Sequence, residues 1–254
     1  MPHSDPGATR DAGRRTYDVV IPCYNRANTV EQAVDSVLAQ AEPPQRVILV
    51  DDGSSDRTAQ VLLNLERRHA RVQAVLLPRN GGASAARNAG MACARAEWLA
   101  FLDSDDAWLP GAAGVLLDAA CEHDVVVGQF CRAWPDGVLG EPECGWEEGE
   151  ILPALARTGA IGPSWSIVRR AAAMSVGGFD PSFHNCNDWD FYVRLVAAGA
   201  SFVRVEEAVA LYHIAEANRL SHDSVNGAAN ARRVLAHPLI ARWLERGPAL
   251  DEAC

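Results

Sequence analysis

The first 106 residues alternate short apolar runs with helical patterns, and this alternation limits the fold more than any other feature of the chain. The apolar runs have the length of buried strands and occupy 17–21, 47–50, 72–77 and 98–102. Amphipathic or alanine-rich helical patterns separate them, the first at 28–40. Strand–helix–strand units of this kind wind right-handed onto a mostly parallel sheet. The sequence therefore predicts an α/β fold with a Rossmann-like, mostly parallel central sheet flanked by helices.

Three polar motifs follow the first, second and fourth of these strands. They occupy 22–26, 51–56 and 103–106. In sheets of this type, ligands bind outside the carboxyl ends of the strands. The spacing of the motifs therefore predicts one binding site to which all three contribute.

The second half of the chain is less regular. A strand is expected at 124–131, followed at 134–150 by a long loop of the kind that is often functional in compact domains. An amphipathic helix is expected at 189–198, with Asn187 or Asp188 near its N-terminus. The remaining expected elements are a helix at 151–157, short strands at 201–206 and 208–213, a polar stretch at 215–224 and a final helix at 226–245.

The bulk composition argues against several classes of function. The formal net charge is −10, which disfavours nucleic acid as the main partner. The chain has no lysine, so Schiff-base and P-loop lysine mechanisms are excluded. Its seven scattered cysteines form no CxxC pair and fit reduced thiols better than disulfides or a zinc site. Residues 1–16 are polar and no apolar run has transmembrane length, so we expect a disordered N-terminal tail, a cytoplasmic location and at most peripheral membrane contact.

The acidic run Asp103-Ser104-Asp105-Asp106 directly follows the fourth predicted strand. Residues i and i+2 of an extended backbone point to the same side, so Asp103 and Asp105 are expected to converge, with Asp106 beside them. Three carboxylates this close repel one another unless a cation balances them. Oxygen ligands suit Mg²⁺ or Mn²⁺, which share their coordination with substrate phosphates. A solvated turn is the alternative, and the position at a strand end favours the metal.

Two further motifs of the first half offer polar groups to a ligand. Asp52 follows the second strand, where an acidic residue of a nucleotide-binding fold often bonds the base or ribose. Turn formation and helix capping are the alternative there, and they account for Asp56. Gly81 and Gly82 open a helix whose N-terminus favours anions. Arg87 in the same helix is placed to balance a diphosphate, although alone it would be interpreted as a surface arginine.

Asp188 and His213 are the candidates of the second half. Asp188 lies at a predicted helix start, where an ionised carboxylate is favoured and can accept a proton from a hydroxyl. Plain N-capping explains this residue nearly as well, and the spacing does not separate the two roles. His213 ends a predicted strand, where a place in a metal shell and an ordinary structural role are both open.

Four motifs stand in an order and at a spacing that point to one family. They are Val-Ile-Pro-Cys-Tyr-Asn-Arg at 20–26, Val-Asp-Asp-Gly-Ser-Ser-Asp at 50–56, the glycine-rich Ala-Arg-Asn helix at 80–90 and the acidic run with its preceding strand at 101–106. Gly-Gly-Phe-Asp at 177–180 and Asn-Asp-Trp-Asp at 187–190 extend the match. Over about residues 17–214, the chain resembles glycosyltransferase family 2 of the GT-A fold.

The resemblance implies an inverting enzyme that moves a sugar from a nucleotide diphosphate, most often UDP, to an acceptor hydroxyl. It implies a GT-A domain at 17–225, in which 17–106 bind the nucleotide sugar and the smaller region 107–225 binds the acceptor. A C-terminal helix and tail follow at 226–254. The expected acceptor is a small natural product, a lipid-linked precursor or a polysaccharide precursor, and a homodimer is left open.

The resemblance also distributes roles over the site. The residues implied to bind the donor are Pro22, Tyr24, Asn25, Arg26, Asp52, Gly82, Arg87, Ser104 and Asp105. The residues implied to hold Mn²⁺ or Mg²⁺ are Asp103, Asp105, Asp106 and His213. Asp188 falls where the catalytic base is usually found, but Asn187 stands where many relatives carry Glu, which leaves Asp190 as the alternative. Trp165 and Trp189 are candidates to stack on an acceptor sugar, with buried packing as the alternative, and 215–224 resembles a loop that closes over the donor.

Two other functions fit part of this pattern. A sugar nucleotidyltransferase also presents carboxylates and a metal on an α/β sheet, but it usually has a glycine-rich, basic loop after the first strand. This chain has Pro-Cys-Tyr-Asn there, at 22–25. A non-catalytic homologue that binds nucleotide sugars is the second alternative, and the intact acidic run and candidate base disfavour it. A dehydrogenase is disfavoured because no GxGxxG motif follows a strand.

Overall fold

Strand β1 (Tyr17–Cys23) lies at the centre of the sheet between two parallel neighbours. The structure is a computed structural model that describes residues 15–146, 149–214 and 224–246. On one side β1 pairs with β2 (Arg46–Asp51), which in turn pairs with β3 (Val72–Leu76). On the other side it pairs with β4 (Trp98–Phe101). All three pairings are parallel, as the strand–helix alternation predicts.

The second half of the chain extends the same sheet beyond β4. Strand β7 (Ser166–Arg169) runs antiparallel to both β4 and β6 (Val125–Ala133). Strand β8 (Phe202–His213) is parallel to β6, and the short β5 (Ala107–Trp108) is antiparallel to β8. The strand order over the described residues is β3-β2-β1-β4-β7-β6-β8-β5. Only β5 and β7 oppose the direction of the others, which confirms the predicted mostly parallel sheet.

Helices cover both faces of this sheet. They are α1 (Val30–Leu38), α2 (Thr58–Arg68), α3 (Ala83–Cys93), α4 (Ala112–Ala119), α5 (Ile151–Leu155), α6 (Arg170–Ser175), α7 (Asn187–Ala197), α8 (Ser224–Leu235) and α9 (Pro238–Arg246), with a 3-10 helix at Pro163–Trp165. Side chains of successive residues in β1 point to opposite faces, so Val19 and Val20 belong to different clusters of buried residues. Helices α1, α2 and α4 pack on the Val19 face, and α3, α5 and α7 pack on the Val20 face.

Two expectations for the second half are wrong. The strands expected at 201–206 and 208–213 are one strand, β8, because a register shift against β6 absorbs the exposed residues Glu206 and Glu207 as a bulge. The single helix expected at 226–245 is broken into α8 and α9. Pro238 has no N–H to continue α8, and its fixed φ suits the first position of α9.

Parts of the predicted domain division lie outside the described residues. The tail expected at 1–16 falls almost entirely there, as does the closing loop expected at 215–224. The boundaries drawn after residues 106 and 225 stay predictions. None of the helices within the described ranges is long and apolar enough to cross a bilayer.

The close packing of α3 on the sheet depends on Gly90. A Cβ built on this residue would stand 2.3 Å from Val20 Cγ1 and 3.1 Å from Val50 Cγ2, both in the core. We expect Gly90→Ala to lower the free energy of unfolding by about 1–3 kcal/mol, because overpacking strains a close-packed core. Urea denaturation monitored by circular dichroism measures the change.

Gly114→Ala is the matched control for this substitution. Gly114 also lies inside a helix, but a Cβ there meets only the flexible end of Glu42, at 3.1 Å. Its replacement should be neutral or stabilising by up to about 1 kcal/mol, because alanine favours the helix. Equal effects of the two substitutions would contradict the close contact between α3 and β1.

Candidate functional site

The motifs after β1, β2 and β4 meet at the carboxyl edge of the sheet. The backbone N–H of Asn25 donates to Ser54 Oγ at 2.9 Å, which joins the first motif to the second. Arg26 forms an ion pair with Asp105, with 3.6 Å between Nη2 and Oδ2, which joins the first motif to the third. The predicted convergence of the three motifs is therefore present in the structure.

The loop after β1 is ordered by hydrogen bonds to the segment that follows β2. Asn25 adopts a left-handed backbone conformation (φ 53°), and its Oδ1 accepts a hydrogen bond from Ser55 N at 2.9 Å. Arg26 N donates to Thr58 Oγ1 at 2.8 Å. Tyr24 is 46% exposed, and Pro22 is half-buried below it. Tyr24 and the Arg26 side chain thus keep surface for a ligand, while the Asn25 side chain binds the segment after β2; the donor roles of these residues stay predictions.

Asp52 holds the turn that begins α3. Its carboxylate is buried, and its two oxygens accept hydrogen bonds from Gly81 N at 2.8 Å and from Gly82 N at 2.7 Å. Gly82 has a φ of 87°, a conformation that favours glycine. Burial raises the pKa of the Asp52 carboxyl, and the two hydrogen bonds offset part of that rise. Asp52 therefore shapes the α3 N-terminus, and its predicted contact with the base or ribose stays a prediction.

Arg87 is a buried bridge rather than a surface residue. Its Nη1 donates to Asn187 Oδ1 at 2.8 Å, and its Nη2 donates to Asp103 Oδ1 at 2.7 Å. Its guanidinium carbon also lies 5.2 Å from the centre of the Phe179 ring. One side chain thus joins the acidic segment after β4 to the first residue of α7.

The sequence did not indicate this function of Asn187. There the residue was named only as one possible start of a helix and as a departure from the Glu of many relatives. In the structure it is buried and supplies a neutral oxygen to Arg87. A neutral partner at this position leaves Asp103 to balance the guanidinium charge. The signal in the sequence was the departure itself, next to a candidate base.

The acidic segment is a turn and not the extended stretch that the sequence argument assumed. Asp106 N donates to Asp103 O at 3.0 Å and closes the turn. The carboxylates of this turn have different partners, and the expected convergence of Asp103 with Asp105 on a cation stays a prediction. Asp103 binds Arg87, and Asp105 lies near Arg26. Ser104, at the centre of the turn, is buried against the end of β1.

Asp106 joins the turn to the second half of the chain. It is 2% exposed; its Oδ2 accepts from Ser164 Oγ at 2.6 Å and its Oδ1 accepts from His213 N at 3.2 Å. Ser164 Oγ in turn accepts from Asp103 N at 3.2 Å. Ser164 was missed because it carries no charge and lies in a Gly-Pro-Ser-Trp segment without a known role. The predicted metal roles of Asp106 and His213 stay predictions.

The chemistry of the donor set suits a hard divalent cation that binds together with a substrate. The described parts of the chain contain no group of three or more His, Cys, Asp or Glu side chains arranged to hold a metal ion. Mg²⁺ and Mn²⁺ often use only one or two carboxylates and take their other ligands from phosphates and water. The side chains of Asp103 and Asp105 are 35% and 19% exposed, so they fit this pattern better than the buried Asp106.

The two candidate bases differ in their surroundings. Asp190 is buried and forms an ion pair with Arg194 at 2.7 Å, one turn further along α7. Asp188 is partly exposed, and its Oδ1 accepts from Trp189 N at 2.8 Å. Burial raises the pKa of the Asp188 carboxyl, the charge of Arg87 offsets part of the rise, and the charge of Asp103 adds to it. The geometry favours Asp188, which lies within the field of the acidic turn.

Helix α8 holds the segment that leads to Asp188. The Arg233 guanidinium lies 3.8 Å from the centre of the Phe183 ring, and its Nη2 donates to Ser182 Oγ at 2.7 Å. Asn230 Nδ2 donates to Asn185 Oδ1 at 2.7 Å. The start of α7 is thus fixed by Arg87 from one side and by α8 from the other.

The predicted acceptor tryptophans are packed against protein. Trp189 is 7% exposed, and its Nε1 donates to Leu155 O at 2.7 Å. Trp165 is half-buried and stacks on Phe130, with 4.1 Å between ring centres and Tyr212 at its edge. The packing alternative accounts for both positions, and the acceptor role stays a prediction.

The Arg87 bridge predicts a large loss of stability when its charge is removed. We expect Arg87→Leu to lower the free energy of unfolding by about 2–3 kcal/mol, less than for a fully buried pair because water reaches Asp103. Arg68→Leu is the matched control, since Arg68 pairs with Glu31 at 2.5 Å on an exposed surface. It should cost less than about 1 kcal/mol. Equally small losses in urea denaturation would contradict the bridging role.

Comparison with known proteins agrees with this geometry. A sequence model described as glycosyl transferase family 2 matches residues 18–148. The succinoglycan biosynthesis protein ExoU of Rhizobium meliloti is 30% identical over an alignment of 199 residues that covers 72% of this chain and 58% of ExoU. The pre-mycofactocin glycosyltransferase of Mycobacterium tuberculosis is 33% identical over an alignment of 197 residues that covers 73% of this chain and 40% of that protein. The chain thus spans less than two thirds of the length of these curated relatives.

Solved structures show the same fold. The crystal structure of S. aureus TarS 1–349 in complex with UDP-GlcNAc has a TM-score of 0.71 at 21% identity, over 91% of this chain and 72% of TarS. The complex with UDP has a TM-score of 0.67 at 20% identity, over 91% of this chain and 71% of TarS. The likeness confirms the predicted GT-A fold. With a family match over more than half of the chain and the matched motifs assembled at one edge of the sheet, the chain belongs to glycosyl transferase family 2.

Proposed function

We propose that this chain transfers a sugar from a UDP-linked donor to an acceptor hydroxyl with inversion at the anomeric carbon. The observation that carries the proposal is the Arg87 bridge, which sets the acidic turn beside the N-terminal end of α7. Donor-side carboxylates and the candidate base therefore belong to one site. The family membership supports glycosyl transfer as the reaction. The solved complex of TarS, which has the same fold, with UDP-GlcNAc supports UDP as the nucleotide.

On the donor side, the exposed ring of Tyr24 offers a face for the nucleoside. Asp52 orders the turn at Gly81 and Gly82, so that the N-terminus of α3 presents a fixed surface to a negative group. Arg26 is an accessible cation here, because its side chain is 28% exposed and its ion pair with Asp105 is long. We assign the diphosphate contact to Arg26 and an organising role to the buried Arg87.

Mn²⁺ or Mg²⁺, held by Asp103 and Asp105, would neutralise the charge that develops on the leaving diphosphate. The two arginines leave room for this role. Arg26 lies 3.6 Å from Asp105, longer than a tight ion pair, and Arg87 occupies one oxygen of Asp103. Asp106 supports the turn from behind through Ser164 and His213.

On the acceptor side, Asp188 is the proposed general base. Its carboxylate accepts the proton of the acceptor hydroxyl as the oxygen attacks the anomeric carbon from the face opposite the diphosphate. Burial raises the pKa of this carboxyl, which makes the ionised form a stronger base than a solvated aspartate. Asp190 is less suited, because Arg194 stabilises its charge.

The base assignment is tested by Asp188→Asn. We expect transfer to fall by about 10²–10⁴-fold, because an amide does not accept the proton. Donor binding should persist, as measured by calorimetry with the UDP-sugar. Asp190→Asn is the control and should retain transfer within about tenfold, in line with its structural ion pair. Unchanged turnover of Asp188→Asn would rule out the assignment, and loss of turnover only in Asp190→Asn would move the base to that residue.

The pH dependence of the transfer rate is a second test of Asp188 as the general base. The base acts when it is ionised, so transfer should fall as pH falls through the raised pKa of Asp188. An ordinary aspartate titrates at about pH 4. The fall of the transfer rate on the acid side should therefore occur at a higher pH than that.

The nucleotide and the metal are tested together by a thermal-shift screen of UDP-, GDP- and dTDP-sugars. We expect a UDP-sugar with Mn²⁺ to raise the melting temperature most. A ligand present at 100 times its Kd raises the free energy of unfolding by about 2.7 kcal/mol. EDTA and Asp105→Asn should each remove the metal-dependent part of that shift. Equal stabilisation with and without EDTA would contradict metal dependence.

Two outcomes would favour other functions. Binding of a nucleotide sugar without turnover of any acceptor would favour a non-catalytic homologue, and release of pyrophosphate would favour a nucleotidyltransferase.

A further inference from the structure

A hairpin with an apolar tip projects from the end of β6. Its base is formed by a bridge between Ala133 and Leu139 and by a hydrogen bond from Trp134 N to Val138 O at 2.9 Å. Trp134, Val138 and Leu139 are 39%, 55% and 57% exposed. Three large apolar side chains thus face solvent within six residues, which is unusual unless the surface meets a partner.

The hairpin lies at the same edge of the sheet as the proposed site. Strand β6 runs in the direction of β4, so the carboxyl ends of both strands point to that edge. Ala133 pairs with His213, and Ile214 N donates to Ala133 O at 2.8 Å. His213 N in turn donates to Asp106 in the acidic turn at 3.2 Å. The base of the hairpin is therefore joined to the acidic turn through one residue.

The indole of Trp134 packs against Gly140. A Cβ on Gly140 would stand 3.1 Å from both Cη2 and Cζ3 of the indole, so the ring lies directly against this glycine. Gly140 N donates to Arg132 O at 2.8 Å. Arg132 also binds Glu143 with two hydrogen bonds of 2.8 and 3.1 Å. The indole is thus exposed and ordered, a combination that lowers the entropic cost of stacking a ligand on it.

The charges around the indole decide between possible partners. Residues 132–143 contain one arginine and three carboxylates, Asp136, Glu141 and Glu143, which gives a net charge of −2. This charge disfavours anionic lipid headgroups, which attract basic segments. Carboxylates in the same hairpin as an exposed aromatic face suit a neutral sugar, whose C–H face packs on the ring and whose hydroxyls donate to carboxylate oxygens.

We propose that Trp134 is a stacking platform for a neutral sugar unit of the acceptor. The acceptor is then an oligosaccharide that offers a hydroxyl to Asp188 while another of its sugars lies on the indole. This inference rests on the proposed glycosyl transfer and narrows its acceptor class to a neutral glycan. Trp134 takes the role that sequence reasoning gave to the packed residues Trp165 and Trp189.

The experiment uses saturation-transfer NMR on the full chain, with cellotetraose, maltotetraose and chitotetraose as probes. We expect at least one probe to bind, and Trp134→Ala to weaken its binding at least about tenfold, in line with the cost of losing one stacked aromatic contact. Trp134→Phe should stay within about threefold of the wild type. Gly140→Val should weaken binding as well, because it displaces the ring without removing it.

Met174→Ala is the matched control. Met174 is 48% exposed and lies in α6, which follows β7 at the opposite edge of the sheet. Its replacement should leave probe binding unchanged. The proposal is overturned if no probe binds the wild type or if Trp134→Ala binds the probes as well as the wild type does. It is also overturned if the hairpin instead governs binding to phosphatidylcholine vesicles with or without phosphatidylglycerol.

A donor measurement separates this inference from the proposed function. Trp134→Ala should keep the full thermal shift with UDP-sugar and Mn²⁺, because the hairpin is outside the donor half. If the wild type shows no shift with any nucleotide sugar, the transfer reaction itself fails. If the shift is present but the probes do not distinguish Trp134→Ala from wild type, only the platform fails.

Discussion

The buried guanidinium of Arg87 is the interaction on which the arrangement of the site depends. A charge taken out of water is tolerated only when hydrogen bonds and an opposite charge replace the solvent. Asp103 supplies the charge and Asn187 supplies a neutral oxygen, and these two residues belong to different halves of the chain. The planar fork of arginine reaches both partners at once, which the single ammonium of a lysine does less well. The relative position of the acidic turn and α7 follows from this requirement.

The acidic turn is likewise stabilised by partners that compensate its charges. Each of its three carboxylates has its own partner outside the turn. Arg87 balances Asp103, Arg26 lies near Asp105, and Asp106 is held by a hydroxyl and a backbone amide. These contacts hold the segment as a folded turn, so the proposed cation would act together with a substrate rather than as a structural requirement.

The sequence was most informative where a structural signal is contiguous. Apolar runs and their polar ends gave the parallel strands β1 to β4 and the meeting of three motifs at one edge. It was least informative where a contact joins distant residues. The bridge from Arg87 to Asn187 spans 100 positions, and Ser164 carries no charge that would mark it. The turn at Asp103–Asp106 was interpreted as extended because alternation of side chains is assumed after a strand, whereas its geometry is set by partners elsewhere.

The roles of the tryptophans were also not predictable from the sequence. An indole serves equally well as core or as ligand platform, and the sequence around it does not separate the two. Trp189 fills the core beneath α7, and Trp165 completes an aromatic stack with Phe130. Trp134 is 39% exposed, and its indole lies against Gly140, which has no side chain to cover the ring. Under the proposed platform role of Trp134, acceptor binding would depend on a loop between strands, and such loops vary without disturbing the strands that they connect.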